Sequence, residues 1–173
     1  QIGYVAQKAH MFKGSIRSNI CFGKPDASDE EMVHAATVAQ ASDFISKREH
    51  GYLDEIAEDG TNISGGQKQR LSIARVILKK PSLYIYDDSF SALDFKTDAT
   101  LRKALKPEVK NAIFFVVAQR ISTIMDSDMI IVLDEGQIIG MGTHTQLLKD
   151  CRVYQEIAHS QLTQKELDDY ERN

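Results

Sequence analysis

Residues 62–94 read NISGGQKQRLSIARVILKKPSLYIYDDSFSALD. A Ser-Gly-Gly-Gln turn opens a helix with an apolar stripe, Pro81 ends it, and the apolar run Leu83 to Tyr86 leads into Asp87 and Asp88. Glycines let a backbone approach a ligand closely, and the N–H groups and dipole at a helix start favour an anion such as phosphate. A carboxylate at the end of a buried strand can hold a metal ion beside that phosphate. The stretch therefore suggests nucleotide chemistry.

Outward from this stretch, the helix after Gly66 is expected to turn Leu71, Ile73, Ala74, Ile77 and Leu78 inward and Lys68, Arg70, Lys79 and Lys80 outward. Upstream, Ser28 followed by Asp29, Glu30 and Glu31 predicts a capped helix start, with Met32, Ala35, Ala36, Ala39 and Ile45 on its apolar face. Lys47 to Asp54 reads as a polar connection and Glu55 to Gly60 as an acidic loop. The first residues suggest a short strand ending at Ala6-Gln7, a loop from Lys8 to Gly14, and a helical turn from Ser15 to Ile20.

Downstream, a helix is expected from Asp94 to Leu105, a strand from Ala112 to Ala118, a short helix from Ser122 to Met125, and a strand from Met129 to Leu133. Asp134 to Gln137 reads as a hairpin turn returning through Ile138 to Gly142. One helix is expected from Thr143 to Ser160, followed by a charged tail, Gln161 to Asn173.

Strands interleaved with helices predict an α/β fold with a parallel sheet. At 173 residues the chain has the size of one domain and can bury roughly 70% of its unfolded surface. Composition is that of a globular protein, and the net charge of −4 argues against a generic nucleic-acid surface. Cys21 and Cys151 form no metal-ligand or redox motif and read as reduced thiols. No segment approaches the roughly 20 apolar residues that cross a bilayer.

In this order the elements resemble the ATP-binding domain of an ABC transporter, of the exporter type. Ile63-Ser64-Gly65-Gly66-Gln67 is similar to the family signature LSGGQ, Leu83 to Asp87 to the Walker B strand, and Ser91 to Asp94 to the D-loop. Tyr4 to Gln7 resembles the Q-loop, Glu58-Asp59-Gly60 the acidic loop before the signature, and Gln119 to Ile124 occupies the place of the switch-histidine motif. The resemblance implies a P-loop NTPase-like (RecA-like) core carrying an inserted helical subdomain. Its segments are 1–27 (Q-loop and core strand), 28–80 (helical subdomain), 81–160 (core with Walker B, D-loop and switch) and 161–173 (tail).

It also implies ATP and Mg²⁺ as cofactors. Gln7 and Asp87 would serve the metal, with Gln7, Asp88 and Gln119 around the attacking water. Ser64, Gly65, Gly66 and Gln67 would bind the γ-phosphate of ATP held by a second ATP-binding domain, and Asp94 would communicate across that interface. Further implied partners are a transmembrane domain, received near Ala9 to Ile20, and a place at the cytoplasmic face of the cell membrane.

Three departures from the family pattern matter. Asp88 stands where the family has a catalytic glutamate, and Gln119 where it has a histidine, so a side chain one methylene shorter and a group that takes up no proton near pH 7 replace them. No G-x-x-x-x-G-K-[ST] loop occurs. The expectation is a segment of a longer protein that lacks the phosphate loop, is inactive in isolation, and tends to self-associate through uncovered apolar surface. The intact protein would be the degenerate-site half of a heterodimeric exporter. Alternatives are a soluble ABC ATPase and a non-catalytic nucleotide-binding regulatory domain.

Overall fold

The computed structural model describes residues 1–163. The chain divides into two compact units, Gln1–Val117 and a second beginning at Ala118. Residues 164–173 of the charged tail lie outside the described residues.

The first unit is built on a sheet of three parallel strands, β1 (Ile2–Val5), β4 (Leu83–Asp87) and β5 (Ile113–Val117), with β4 in the middle. The register pairs Ile2 with Leu83 and Val5 with Tyr86 on one side of β4, and Leu83 with Ile113 through Asp87 with Val117 on the other. One face carries Val5, Tyr84 and Tyr86 into the core. The opposite face leaves Ile2, Tyr4, Ile113, Phe115 and Val117 exposed. Apolar residues on both faces of β4 are the composition of a strand meant to be covered twice.

Between β1 and β4 lie α1 (Ile16–Ile20), α2 (Asp29–Val38), α3 (Ser42–Ile45) and α4 (Gly65–Lys79). Ser28 and Glu31 form a reciprocal capping box that starts α2, as its sequence predicts. Met32, Ala35, Ala36, Ala39 and Ile45 are all buried, and they pack in one cluster with the inner face of α4. At the end of α4, Lys80 takes a left-handed conformation (φ 48°) and Pro81 forbids continuation.

Two readings within this unit are corrected. Arg70 does not project outward: its guanidinium lies 5.0 Å from the centre of the Phe44 ring and donates to the Gln40 carbonyl at 2.7 Å. A guanidinium on a long apolar stem can be half-buried where an aromatic face and a carbonyl receive it. The Glu55–Gly60 segment is not all loop, because β3 (Glu55–Ile56) pairs antiparallel with β2 (Gly14–Ser15). Two residues are too few to show a strand periodicity in sequence.

After β4 comes α5 (Phe95–Glu108), which buries Leu101 and Leu105. In the second unit, α6 (Ile121–Ile124) precedes an antiparallel hairpin of β6 (Ile130–Asp134) and β7 (Gln137–Gly142). Then follow α7 (His144–Asp150) and α8 (Arg152–Gln161).

The single helix expected from Thr143 to Ser160 is thus two. Cys151 is extended (φ −120°, ψ 102°) and buried, and a Cβ at Gly140 would meet its Sγ at 2.8 Å. Packing of Cys151 onto the β7 backbone is a contact between elements, so continuous helical periodicity conceals the break. Around it, Ile121, Ile130, Val132, Leu147, Tyr154 and Ala158 form a separate small core.

Candidate functional site

Asp87 and Asp88 end the central strand, and the fold treats them differently. Leu83, Ile85 and Asp87 share the more open face of β4, whereas Tyr84 and Tyr86 face the core. The Asp87 carboxylate therefore emerges at the carboxyl end of a parallel sheet, where open α/β sheets bind ligands. The Tyr4 hydroxyl donates to Asp87 Oδ2 at 2.8 Å. That bond to an anion holds the Tyr4 phenol above its ordinary pKa, with desolvation and the carboxylate's charge adding to it.

Asp88 turns away from the strand in a left-handed conformation (φ 44°) and is only 9% exposed. Its N–H donates to the Val117 carbonyl at 2.9 Å, and its own carbonyl accepts from the Ser91 hydroxyl at 2.7 Å. Gln7 Nε2 donates to Asp88 Oδ2 at 3.3 Å. The buried Ser89 hydroxyl donates to the Val5 carbonyl at 3.0 Å, fastening the turn after β4 to the end of β1. The structure thus brings Gln7 and Asp88 together beside Asp87.

Gln69 fixes the other side of Gln7. It lies on α4, is 1% exposed, and its Nε2 donates to the Ala6 carbonyl at 3.1 Å. Sequence reasoning missed Gln69, although a glutamine four residues before the inward-facing Ile73 was a readable signal.

The start of α4 is a second capping box. The Ser64 hydroxyl accepts from the Gln67 N–H at 3.2 Å, and the Ser64 N–H donates to Gln67 Oε1 at 3.0 Å. Ser64 and Gly65 are exposed at this helix start. A Cβ on Gly66 would lie 3.3 Å from the Ala92 carbonyl, so the helix start abuts the Ser91–Asp94 turn. Asp94 caps α5, accepting from the Thr97 N–H at 3.0 Å and from the Thr97 hydroxyl at 2.6 Å. These bonds, the hydroxyl first, hold its carboxyl below the usual aspartate range.

Gln119 belongs to the second unit, which begins at Ala118. There Gln161 Nε2 donates to the Gln119 carbonyl at 2.9 Å, and Gln161 Oε1 accepts from the Ile121 N–H at 2.9 Å. One amide from the end of α8 thus clamps the turn that carries Gln119. Forty-two positions separate the pair, and no local pattern announces it.

The arrangement is an acidic strand end with a glutamine arm, beside a glycine-bearing helix start that abuts the following turn. A family model described as "ABC transporter" matches residues 1–91, more than half of the chain. The chain belongs to the ABC transporter family. Among curated relatives of this ABC chain, the putative multidrug export ATP-binding/permease protein YgaD of Bacillus subtilis is 46% identical over 148 residues. That alignment covers 86% of the chain and 26% of YgaD. The uncharacterized ABC transporter ATP-binding protein YfiB of the same organism is 42% identical over 161 residues, covering 93% of the chain and 28% of YfiB.

A solved structure described as a bacterial Atm1-family ABC exporter with ATP bound superposes with a TM-score of 0.89 at 36% identity. It covers 92% of the chain and 28% of that structure's chain. The fold is therefore that of an ABC ATPase, α/β and P-loop NTPase-like, and the chain spans about 28% of the length of such relatives.

Proposed function

We propose that this ABC chain is the larger part of an ATP-binding domain of an exporter, at the cytoplasmic face of the membrane, where ATP-driven dimerisation is coupled to transport. In this reading Asp87 and Gln7 attend Mg²⁺ at the chain's own nucleotide. Ser64, Gly65, Gly66 and Gln67 complete the site of a second ATP-binding domain, and Asp94 lies at the junction of the two. The donor chemistry fits: Mg²⁺ takes one or two carboxylates together with phosphate oxygens and water, and Asp87 is one carboxylate beside an amide side chain. When bound, Mg²⁺ neutralises charge on the phosphates.

The observation that carries the proposal is an asymmetry within the chain. The Ser64–Gln67 helix start is intact and carries a reciprocal capping box. The catalytic position holds a short carboxylate in a buried left-handed turn, tied to Gln7. A displacement of about 1 Å at a reacting group can cost on the order of a hundredfold in rate. With glutamine at 119 in place of histidine, the chain's own site would retain ATP and turn it over slowly. The partner domain, completed by Ser64–Gln67, would turn over normally, which makes the assembly a heterodimer.

The test is single-turnover hydrolysis in the intact transporter carrying this chain. Asp88→Glu combined with Gln119→His is expected to raise turnover at this site by about tenfold or more. No increase would favour the alternative of a nucleotide-binding domain without turnover, and a functional homodimer would refute the heterodimer.

A further inference from the structure

Tyr4 and Asp87 lie on neighbouring parallel strands, and the register places Tyr4 opposite Ile85. Asp87 follows Ile85 by one side-chain repeat on the same face, so the tyrosine ring lies along the sheet and its hydroxyl reaches Asp87 Oδ2 at 2.8 Å. Among the described residues no other hydrogen-bond donor reaches this carboxylate. An aspartate's terminal torsion is broad and roughly two-fold, so an unassisted Asp87 would sample many orientations. Tyr4 is 54% exposed, so water is available to its hydroxyl and burial does not compel this bond.

We propose that Tyr4 is a positioning residue for Asp87: it engages one carboxylate oxygen and so orients the other toward the metal ion that accompanies a bound nucleotide. The role rests on the reading of Asp87 as a metal-serving residue given above. It assigns work to a residue outside the acidic pair and the glutamine arm. Outer partners that orient a metal-serving carboxylate are worth affinity for the metal while touching neither metal nor substrate.

The experiment uses the intact transporter and compares wild type with Tyr4→Phe, which keeps the ring and removes the donor. Retention of radiolabelled ATP at this site is titrated against Mg²⁺, and nucleotide binding is measured in parallel with Mg²⁺ removed by a chelator. Tyr4→Phe is expected to raise the half-saturating Mg²⁺ concentration about fivefold and to leave metal-free binding within about twofold. Its unfolding temperature without ligands should stay within about 2 °C of wild type, since an exposed hydroxyl is lost. An unchanged or lowered Mg²⁺ requirement overturns the positioning role, and so does an equal loss of metal-free binding. A wild-type site whose ATP retention ignores Mg²⁺ altogether overturns the metal reading of Asp87 itself, and is distinguishable because it needs no variant.

Discussion

Gln69→Met removes the amide that holds the end of β1 while keeping the side chain's length. Gln69 is 1% exposed and donates to the Ala6 carbonyl at 3.1 Å, so the variant loses one neutral hydrogen bond and strands a half-buried carbonyl. Removing the donor and leaving that carbonyl unpartnered costs about 2 kcal/mol. For the first unit, Gln1–Val117, that corresponds to a fall of about 8 °C in its thermal transition. The second readout is local: amide hydrogen exchange around Gln7 should accelerate, because Ala6 precedes the arm that reaches Asp88 at 3.3 Å. A variant as stable as wild type to within about 0.5 kcal/mol, or unchanged exchange at Gln7, would refute the claim that α4 anchors this arm.

Two further outcomes are expected. Tyr86 is fully buried between Phe90 and Phe114, and its hydroxyl has no hydrogen-bond partner among the described residues; Tyr86→Phe should therefore stabilise the chain by about 1 kcal/mol, or about 4 °C by calorimetry. His144 is buried with Nδ1 2.7 Å from the Tyr154 hydroxyl, and desolvation lowers its pKa against a smaller opposing pull from Asp126. The unfolded chain then binds the proton first, so stability of the second unit should be full above the ordinary histidine value of 6.5 and fall as pH drops below it. Urea unfolding at pH 7.5 and pH 5.5 checks this, and His144→Gln should flatten the dependence.

The exposed face of the sheet bears on how such a chain behaves alone. Ile2, Tyr4, Phe115 and Val117 present a contiguous apolar surface that a monomeric soluble protein ordinarily covers. Their strands carry near-continuous apolar runs, which in sequence already mark them as covered on both faces.

Much of the candidate site was legible because local chemistry fixes it. Ser64 and Gln67 are three residues apart, and so are Asp94 and Thr97; such spacings dictate a cap from the backbone geometry of one helical turn. The run Leu83 to Tyr86 ending in two carboxylates announced a strand end, and the positions of Asp88 and Gln119 were read as departures from the family pattern. What sequence left open depends on contacts across long separations. Gln7 meeting Asp88, Tyr4 meeting Asp87, Gln69 holding Ala6 and Gln161 clamping Gln119 join residues at least 42 positions apart.

The break at Cys151 also depends on tertiary packing, because a buried side chain against β7 overrides helical periodicity. So does the left-handed turn at Asp88, whose N–H is held by the Val117 carbonyl on the neighbouring strand β5. Sequence alone determined the caps, the longer strands and the identity of the acidic pair, since these follow from interactions within one turn or one strand repeat. Tertiary structure alone decided which oxygen of that pair is engaged and by whom, because only the sheet register and the packing of α4 bring the partners within hydrogen-bond distance.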